Sequence, residues 1–174
     1  MTVRSLISGA FLLAVSATAA LAQAPSPLGS FRNWNAYTHT DGEGKSCYIA
    51  AQPQSSKYSR EISGRDPAFF LITTRVASDP AKSVKNEAST IIGFPFKPES
   101  TVTVDIDGKK FTMFTREDNA WFNDRASESS FIEAMKSGNA MTIEGTSGRG
   151  TVATDTYSLA GVTAGLDAIA KGCP

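Results

Sequence analysis

The chain has 174 residues, of which 41% are apolar and 20% charged, and its 17 Lys and Arg residues balance 17 Asp and Glu residues. This length is enough for one domain with a buried core. The charges are interspersed without a basic stripe, which argues against nucleic acid as a partner, since phosphate binding needs clustered Lys and Arg.

The first 22 residues have the three parts of a cleavable secretory signal. Arg4 supplies a positive start, residues 6–20 (LISGAFLLAVSATAA) are apolar, and Ala20 and Ala22 fit a small-x-small cleavage site. The apolar stretch is shorter than the roughly 20 strongly apolar residues of a membrane helix, and Ser, Thr and Gly dilute it. We therefore expect cleavage before Gln23, which is not a lipid-accepting cysteine, and a soluble mature chain without a transmembrane segment.

The two cysteines, Cys47 and Cys173, both lie in the part of the chain that would be exported. In an oxidising compartment an even pair is expected to form a disulfide. A metal site is disfavoured, because two isolated cysteines and a single histidine, His39, have no ligand spacing. The bridge would close a loop of 125 residues, for which chain entropy predicts about 4–5 kcal/mol of stabilisation.

Most of the remaining chain consists of short runs typical of strands between turns. Residues 23–30 (QAPSPLGS) differ, because two prolines and few packing side chains predict a flexible leader. A single β-rich domain is then expected over residues 31–174. Its first predicted strands either alternate between polar and apolar residues or are apolar throughout: residues 32–38, 46–52, 69–74 and 89–94.

The clearest local structure is a hairpin over residues 101–115. Asp107 and Gly108 form a two-residue turn of type I′, in which both residues need positive φ. Such a turn fixes the register, and opposite charges or apolar side chains directly across from each other are favourable. The predicted pairs are Val104 with Phe111, Val102 with Met113 and Asp105 with Lys110.

Two helices are predicted in the last third of the chain. Ser130 and Glu133 have the spacing of a capping box, and an apolar stripe follows up to Gly138. In residues 162–171 the apolar positions recur on one helical face that continues to Cys173, so a bridge to Cys47 would pin this helix onto the sheet. Residues 140–147 and 151–159 are expected to form two further strands.

No catalytic site can be identified in the sequence. Residues 145–150 (GTSGRG) faintly resemble the surroundings of a serine-protease nucleophile, and His39 precedes Ser147 as in one triad order. Arg149, however, stands where a G-x-S-x-G motif needs its last Gly. Residues 105–108 (DIDG) resemble the start of a calcium loop that lacks its twelfth-position Glu. We therefore predict no enzyme activity, no cofactor and no metal.

Residues 145–155 are the candidate partner-binding segment. Arg149 has a rigid fork that suits a carboxylate or a phosphate, and nothing in the strand pattern requires an arginine there for packing. Trp121 is expected to supply an apolar anchor close by. In the alternative interpretation, Arg149 pairs with Asp155 and only stabilises the turn. The site residues under consideration are thus Arg149, Trp121 and Asp155.

Several segments together resemble the invasion-associated locus B family of exported bacterial proteins. The similarity covers nearly the whole mature chain, and the order and spacing of the segments are more specific than any one of them. The matching segments are residues 46–49 (SCYI), 86–87 (NE), 92–95 (IGFP), 104–108 (VDIDG), 119–121 (NAW), 134–138 (AMKSG), 145–151 (GTSGRGT), 154–161 (TDTYSLAG) and the terminal Cys173.

The resemblance implies a periplasmic protein, or one attached to the outer membrane or secreted, that in pathogens is linked to entry into host cells. It implies no reaction, cofactor or catalytic residue. Together with the strand pattern, we expect an antiparallel β-sandwich or partly closed barrel with two short helices. The leading hypothesis is a partner-binding envelope protein whose partner is a protein or an envelope or host-surface component. The alternatives are a small periplasmic hydrolase and a chaperone-like or structural factor for outer-membrane components.

Overall fold

The computed structural model describes residues 24–174, so the predicted signal sequence lies outside the described residues. The described chain contains eleven β-strands, two α-helices and a short 3₁₀ turn at Pro80–Lys82. The strands are β1 (Ser26–Phe31), β2 (Trp34–Asp41), β3 (Gly44–Ala51), β4 (Ser55–Tyr58), β5 (Phe69–Ala77), β6 (Val84–Ile91), β7 (Thr101–Ile106), β8 (Lys109–Arg116), β9 (Asn119–Trp121), β10 (Ala140–Thr146) and β11 (Val152–Ser158). The helices are α1 (Arg125–Ser137) and α2 (Val162–Gly172).

The eleven strands form one antiparallel sheet in the order β1-β2-β3-β5-β6-β9-β8-β7-β10-β11-β4. Most neighbours in the sheet also follow one another along the chain. The exception that matters for the site is β4, which pairs with β11 at the far edge. The chain therefore crosses from one side of the sheet to the other after β3 and returns before β5.

The two halves of the sheet enclose one core. The ring of Phe70 packs against Trp34 and Tyr157, with centroid distances of 6.4 and 6.3 Å. The indole Nε1 of Trp34 donates a hydrogen bond of 3.1 Å to the carbonyl of Ser158, which joins β2 to the end of β11. In the described chain β1 and β4 remain as edges, so the sheet is not closed. The predicted antiparallel sandwich or partly closed barrel is confirmed.

The hairpin of β7 and β8 has the predicted register. Val104 lies opposite Phe111, and Asp105 lies opposite Lys110. Both turn residues have positive φ, 49° at Asp107 and 93° at Gly108. The Asp105 side chain also accepts a hydrogen bond from the Gly108 amide at 2.8 Å, which stabilises the turn.

Helix α1 begins six residues before the predicted start. Its N-cap is Asp124, whose carboxylate accepts hydrogen bonds from the amide and the hydroxyl of Ser127 at 2.8 and 2.7 Å. The predicted capping box was therefore wrong, because Ser130 lies inside the helix and Glu133 pairs with Lys136. The predicted end is confirmed, since Gly138 is the C-cap.

Helix α2 packs on β1, β2 and β3. Its apolar face is buried as predicted, and Cys173 at its end forms a disulfide with Cys47 in β3, with a Cα–Cα distance of 5.9 Å. The helix is preceded by Gly161, which has φ of 99°. A Cβ atom at this position would lie 1.9 Å from the carbonyl oxygen of Phe31, so only glycine fits.

Three strands were not predicted. Residues 26–30 of the predicted flexible leader belong to β1, which pairs with β2, so that part of the leader prediction was wrong. The hydrogen bonds offered by the exposed edge of β2 order this segment despite Pro27. Strands β4 and β9 have three or four residues each and carry too little alternation to be recognised.

Candidate functional site

A cleft of about 940 Å³ lies between three loops of the described chain. We call it the arginine cleft and define it by residues 60–66, 93–95 and 147–151. Arg60, Arg65 and Arg149 are among its lining residues, together with the apolar side chains of Ile62, Phe94 and Pro95 and the carboxylates of Glu61 and Asp66. The cleft therefore offers charged and apolar contacts side by side.

Hydrogen bonds join the three loops in pairs. Arg60 donates from Nε to the hydroxyl of Thr151 at 2.7 Å and from its guanidinium to the carbonyl of Arg149. The amide of Asp66 donates to the carbonyl of Gly93 at 3.1 Å. The amide of Gly148 donates to the carbonyl of Pro95 at 2.9 Å. These bonds preform the cleft, which lowers the entropy lost when a ligand binds.

Gly93 allows the first and second loops to approach each other. Its φ is 76°, and a Cβ atom there would lie 2.0 Å from the carbonyl oxygen of Asp66. Any other residue would have to push the two loops apart.

Beneath the cleft, Arg65 forms a buried bidentate ion pair with Asp155 of β11. The Arg65 guanidinium donates to Oδ1 of Asp155 at 2.8 Å and also to Oδ2, and the two side chains are only 7% and 1% exposed. The same guanidinium reaches the hydroxyls of Ser56 and Tyr58 at 3.3 and 3.2 Å. Arg65 also donates to the carbonyl of Ile92. One side chain thus joins β4, β11 and the end of β6.

Aromatic rings and charge hold this guanidinium in its ionised form. Its carbon lies 5.6 Å from the ring centre of Tyr58 and 5.4 Å from that of Phe94, distances typical of cation–π contacts. Burial opposes ionisation, but the hydrogen bonds that Arg65 donates to Asp155 and Tyr58 and the negative charge of Asp155 outweigh it, and the pKa of Arg65 is raised. Arg65 is therefore a permanent cation.

The three predicted site residues lie in different places. Arg149 is exposed on the rim of the arginine cleft, and within residues 24–174 it has no ion pair. Asp155 is buried under the cleft and cannot touch a partner in this conformation. It is paired with Arg65, so the alternative interpretation, in which Arg149 binds Asp155, is not what the structure shows. Arg65 was missed because 90 residues separate it from Asp155 and the segment around Arg65 matches no motif.

Trp121 lines a second and separate cleft of about 410 Å³, which we call the tryptophan cleft. It is formed by the ends of β8 and β9, the start of β6 and the first residues of α1. The expectation that Trp121 would lie beside Arg149 in one site is therefore wrong, because β9 places it in a different cleft.

The two residues considered for a catalytic triad make other contacts. Ser147 is buried, and its hydroxyl accepts a hydrogen bond of 3.0 Å from the amide of Thr151. His39 lies in β2, where its Nε2 is 3.6 Å from a carboxylate oxygen of Asp41. Ser147 thus has a structural role in the loop that bears Arg149.

Among residues 24–174, no helix is long and apolar enough to cross a membrane. The same part of the chain contains no group of three or more His, Cys, Asp and Glu side chains placed to hold a metal ion.

Comparison with known proteins identifies the family of this chain. The family model described as the invasion associated locus B (IalB) protein matches residues 34–170. Searches of curated proteins and of solved structures found no match. The matched range includes β2 to β11, almost all of α2 and all three loops of the arginine cleft. Because the model covers well over half of the chain, this protein belongs to the invasion associated locus B family.

Proposed function

We propose that this protein is an exported envelope protein that binds a partner at the arginine cleft and catalyses no reaction. The observation that carries the proposal is the position of Arg149, an exposed cation without an ion pair in the described chain, on the rim of a preformed cleft. A partner carboxylate or phosphate would find a guanidinium fork there that needs no internal contact to be broken.

Arg60 supports Arg149 in this role. Its Nε and one terminal nitrogen are fixed by Thr151 and by the carbonyl of Arg149, and the remaining nitrogen is left to meet a ligand. Apolar contact with Ile62, Phe94 and Pro95 would add affinity beside the charged groups. Glu61 and Asp66 lower the net positive charge of the cleft, which favours a protein partner over a polyanion.

Family membership supports export and a link to host-cell invasion in pathogens, and this family is not a known enzyme family. The disulfide between Cys47 and Cys173 agrees with an oxidising compartment outside the cytoplasm. Signal cleavage before Gln23 is part of the same proposal, and the intact mass of protein purified from the envelope would test it.

Cross-linking in the intact envelope, followed by capture of the protein, tests the binding proposal. The wild type is compared with Arg149→Ala and with a matched control, Arg75→Ala, which removes an exposed arginine of β5 outside both clefts. We expect the wild type and Arg75→Ala to capture the same partner and Arg149→Ala to lose it at an unchanged melting temperature. Equal capture by all three would remove the arginine cleft as the binding surface.

A further inference from the structure

The two tryptophans of the chain have opposite environments. Trp34 is fully buried, and its indole nitrogen donates to the carbonyl of Ser158. Trp121 is only half-buried, and its indole N–H has no hydrogen-bond partner among residues 24–174. The N–H of Trp121 is not among the buried polar atoms that lack a partner in residues 24–174, so it is open to solvent at the wall of the cleft and available to a ligand.

Trp121 forms an aromatic floor with Phe114. The two residues are direct cross-strand partners on β9 and β8, and their rings are 5.8 Å apart with an angle of 33° between the planes. Their chain neighbours Met113 and Ala120 point the other way and are fully buried in the core. Strand alternation therefore places both rings on the outer face of the sheet, where they do not fill the core.

Polar groups of both kinds surround this floor. Three of these groups already form hydrogen bonds within the protein. Asp124 caps α1, Glu128 accepts a hydrogen bond from the amide of Ala88, and Arg125 donates a hydrogen bond to the carbonyl of Lys85. Glu87, Arg116 and Asn123 form no side-chain hydrogen bond within the described chain. They leave a carboxylate acceptor, a guanidinium donor and an amide that both donates and accepts.

We infer that the tryptophan cleft is a second binding site, independent of the arginine cleft, and that it binds an uncharged sugar ring. The apolar C–H face of a pyranose matches a flat aromatic surface, and its hydroxyl groups each need a donor and an acceptor, as the rim provides. The volume of about 410 Å³ suits a small ligand.

The charges of the cleft disfavour the other small ligands of this size. Its lining has three carboxylates, Glu87, Asp124 and Glu128, against two guanidinium groups, Arg116 and Arg125. A phosphate or nucleotide would therefore meet repulsion, since an anion site needs an excess of positive charge. A lipid chain would have to bury its tail against these charged groups without a partner for them.

The indole N–H resonances of 15N-labelled protein test the inference directly, because the chain has two tryptophans. Maltotriose, chitotriose and lactose are titrated separately, with inorganic phosphate as the anionic probe. We expect at least one sugar to shift the Trp121 resonance in a saturable way, while the Trp34 resonance and the phosphate titration show no such change. No saturable shift with any of the sugars, or saturation with phosphate alone, would overturn the inference.

Two variants localise the binding. Trp121→Ala removes half of the floor, and we expect it to weaken sugar binding about tenfold or more, in keeping with the usual contribution of an aromatic contact. Arg149→Ala serves as the control and should bind sugar like the wild type. If Trp121→Ala proves unfolded, the wild-type titration still decides the question. If the two sites are independent, Trp121→Ala loses sugar binding but still captures the partner, and Arg149→Ala loses the partner but still binds sugar. The inference drawn here and the function proposed above can therefore fail separately.

Discussion

Arg65 and Asp155 form a bidentate ion pair that fastens the loop of residues 60–66 to β11, although 90 residues separate them in sequence. The carboxylate of Asp155 lies buried under the arginine cleft, and the Arg65 side chain, which lines the cleft, is only 7% exposed. The shape of the cleft therefore depends on an ion pair that is almost entirely shielded from solvent.

Breaking this ion pair should strongly destabilise the protein. Arg65→Met leaves the Asp155 carboxylate buried without its partner, and we expect a loss of about 3–5 kcal/mol in the free energy of unfolding. The double variant Arg65→Met/Asp155→Leu should lose less than the sum of the two single changes, because no unpaired charge remains. Urea unfolding measures the free energy of unfolding of Arg65→Met, Asp155→Leu and the double variant. Additive losses would show that the two side chains are not coupled.

Glu128 should make the free energy of unfolding fall as the pH rises above the ordinary pKa of a glutamate. Burial raises its pKa, and the hydrogen bond from the Ala88 amide and the charge of Arg125 only partly oppose this. Between the unfolded pKa and the higher folded pKa, the folded state holds more protons than the unfolded state, so stability decreases with pH across that window.

Glu128→Gln tests this prediction. Its amide oxygen can still accept the hydrogen bond from Ala88, so this variant should be at least as stable as the wild type at neutral pH and should lose that part of the pH dependence. Urea unfolding at several pH values from 4 to 8 gives the comparison. A variant with the wild-type slope would contradict the assignment to Glu128.

Removal of the disulfide should lower stability without changing the fold. Cys47→Ser/Cys173→Ser frees a loop with a sequence separation of 126, and removal of a native bridge from a small exported domain costs about 2–5 kcal/mol. Thermal unfolding of the oxidised wild type, the reduced wild type and the variant measures the effect. The last two should agree, and a reduced protein as stable as the oxidised one would refute the prediction.

Gly93→Ala should disturb both stability and binding, because a Cβ atom at this position overlaps the carbonyl of Asp66 and φ is positive. We expect a loss of more than about 1 kcal/mol and weaker capture of the partner at the arginine cleft. Gly42→Ala is the matched control, since its Cβ atom would meet nothing within 4 Å. Similar melting temperatures for the two variants would show that the loops at Gly93 can separate freely.

The parts of the fold that sequence predicts are those specified by neighbouring residues. The register of β7 and β8 follows from the Asp107–Gly108 turn, and the buried face of α2 follows from helical spacing. The predicted start of α1 was wrong because a serine followed three residues later by a glutamate also occurs inside helices. Ser130 and Glu133 are such a pair and cap no helix end. The polar edge strand β4 owes its conformation to β11, almost 100 residues away, so its own four residues could not indicate it.

The same difference between local and distant contacts explains which site residues could be predicted from the sequence. Arg149 could be identified because the strand pattern gives it no packing role. Arg60 and Arg65 could not, since each depends on partners from distant loops. The separation of Trp121 from Arg149 required knowing that β9 lies between β6 and β8.

The pairing of β4 with β11 also sets the order in which the protein can assemble. The β2-β3 and β7-β8 hairpins need only local contacts and can form early, whereas β4 must wait for a strand synthesised nearly 100 residues later. The Arg65–Asp155 pair and the arginine cleft therefore cannot be completed before β11 is available. Until β4 docks, the outer edge of β11 is free to pair with another chain, and an exposed strand edge of this kind favours aggregation.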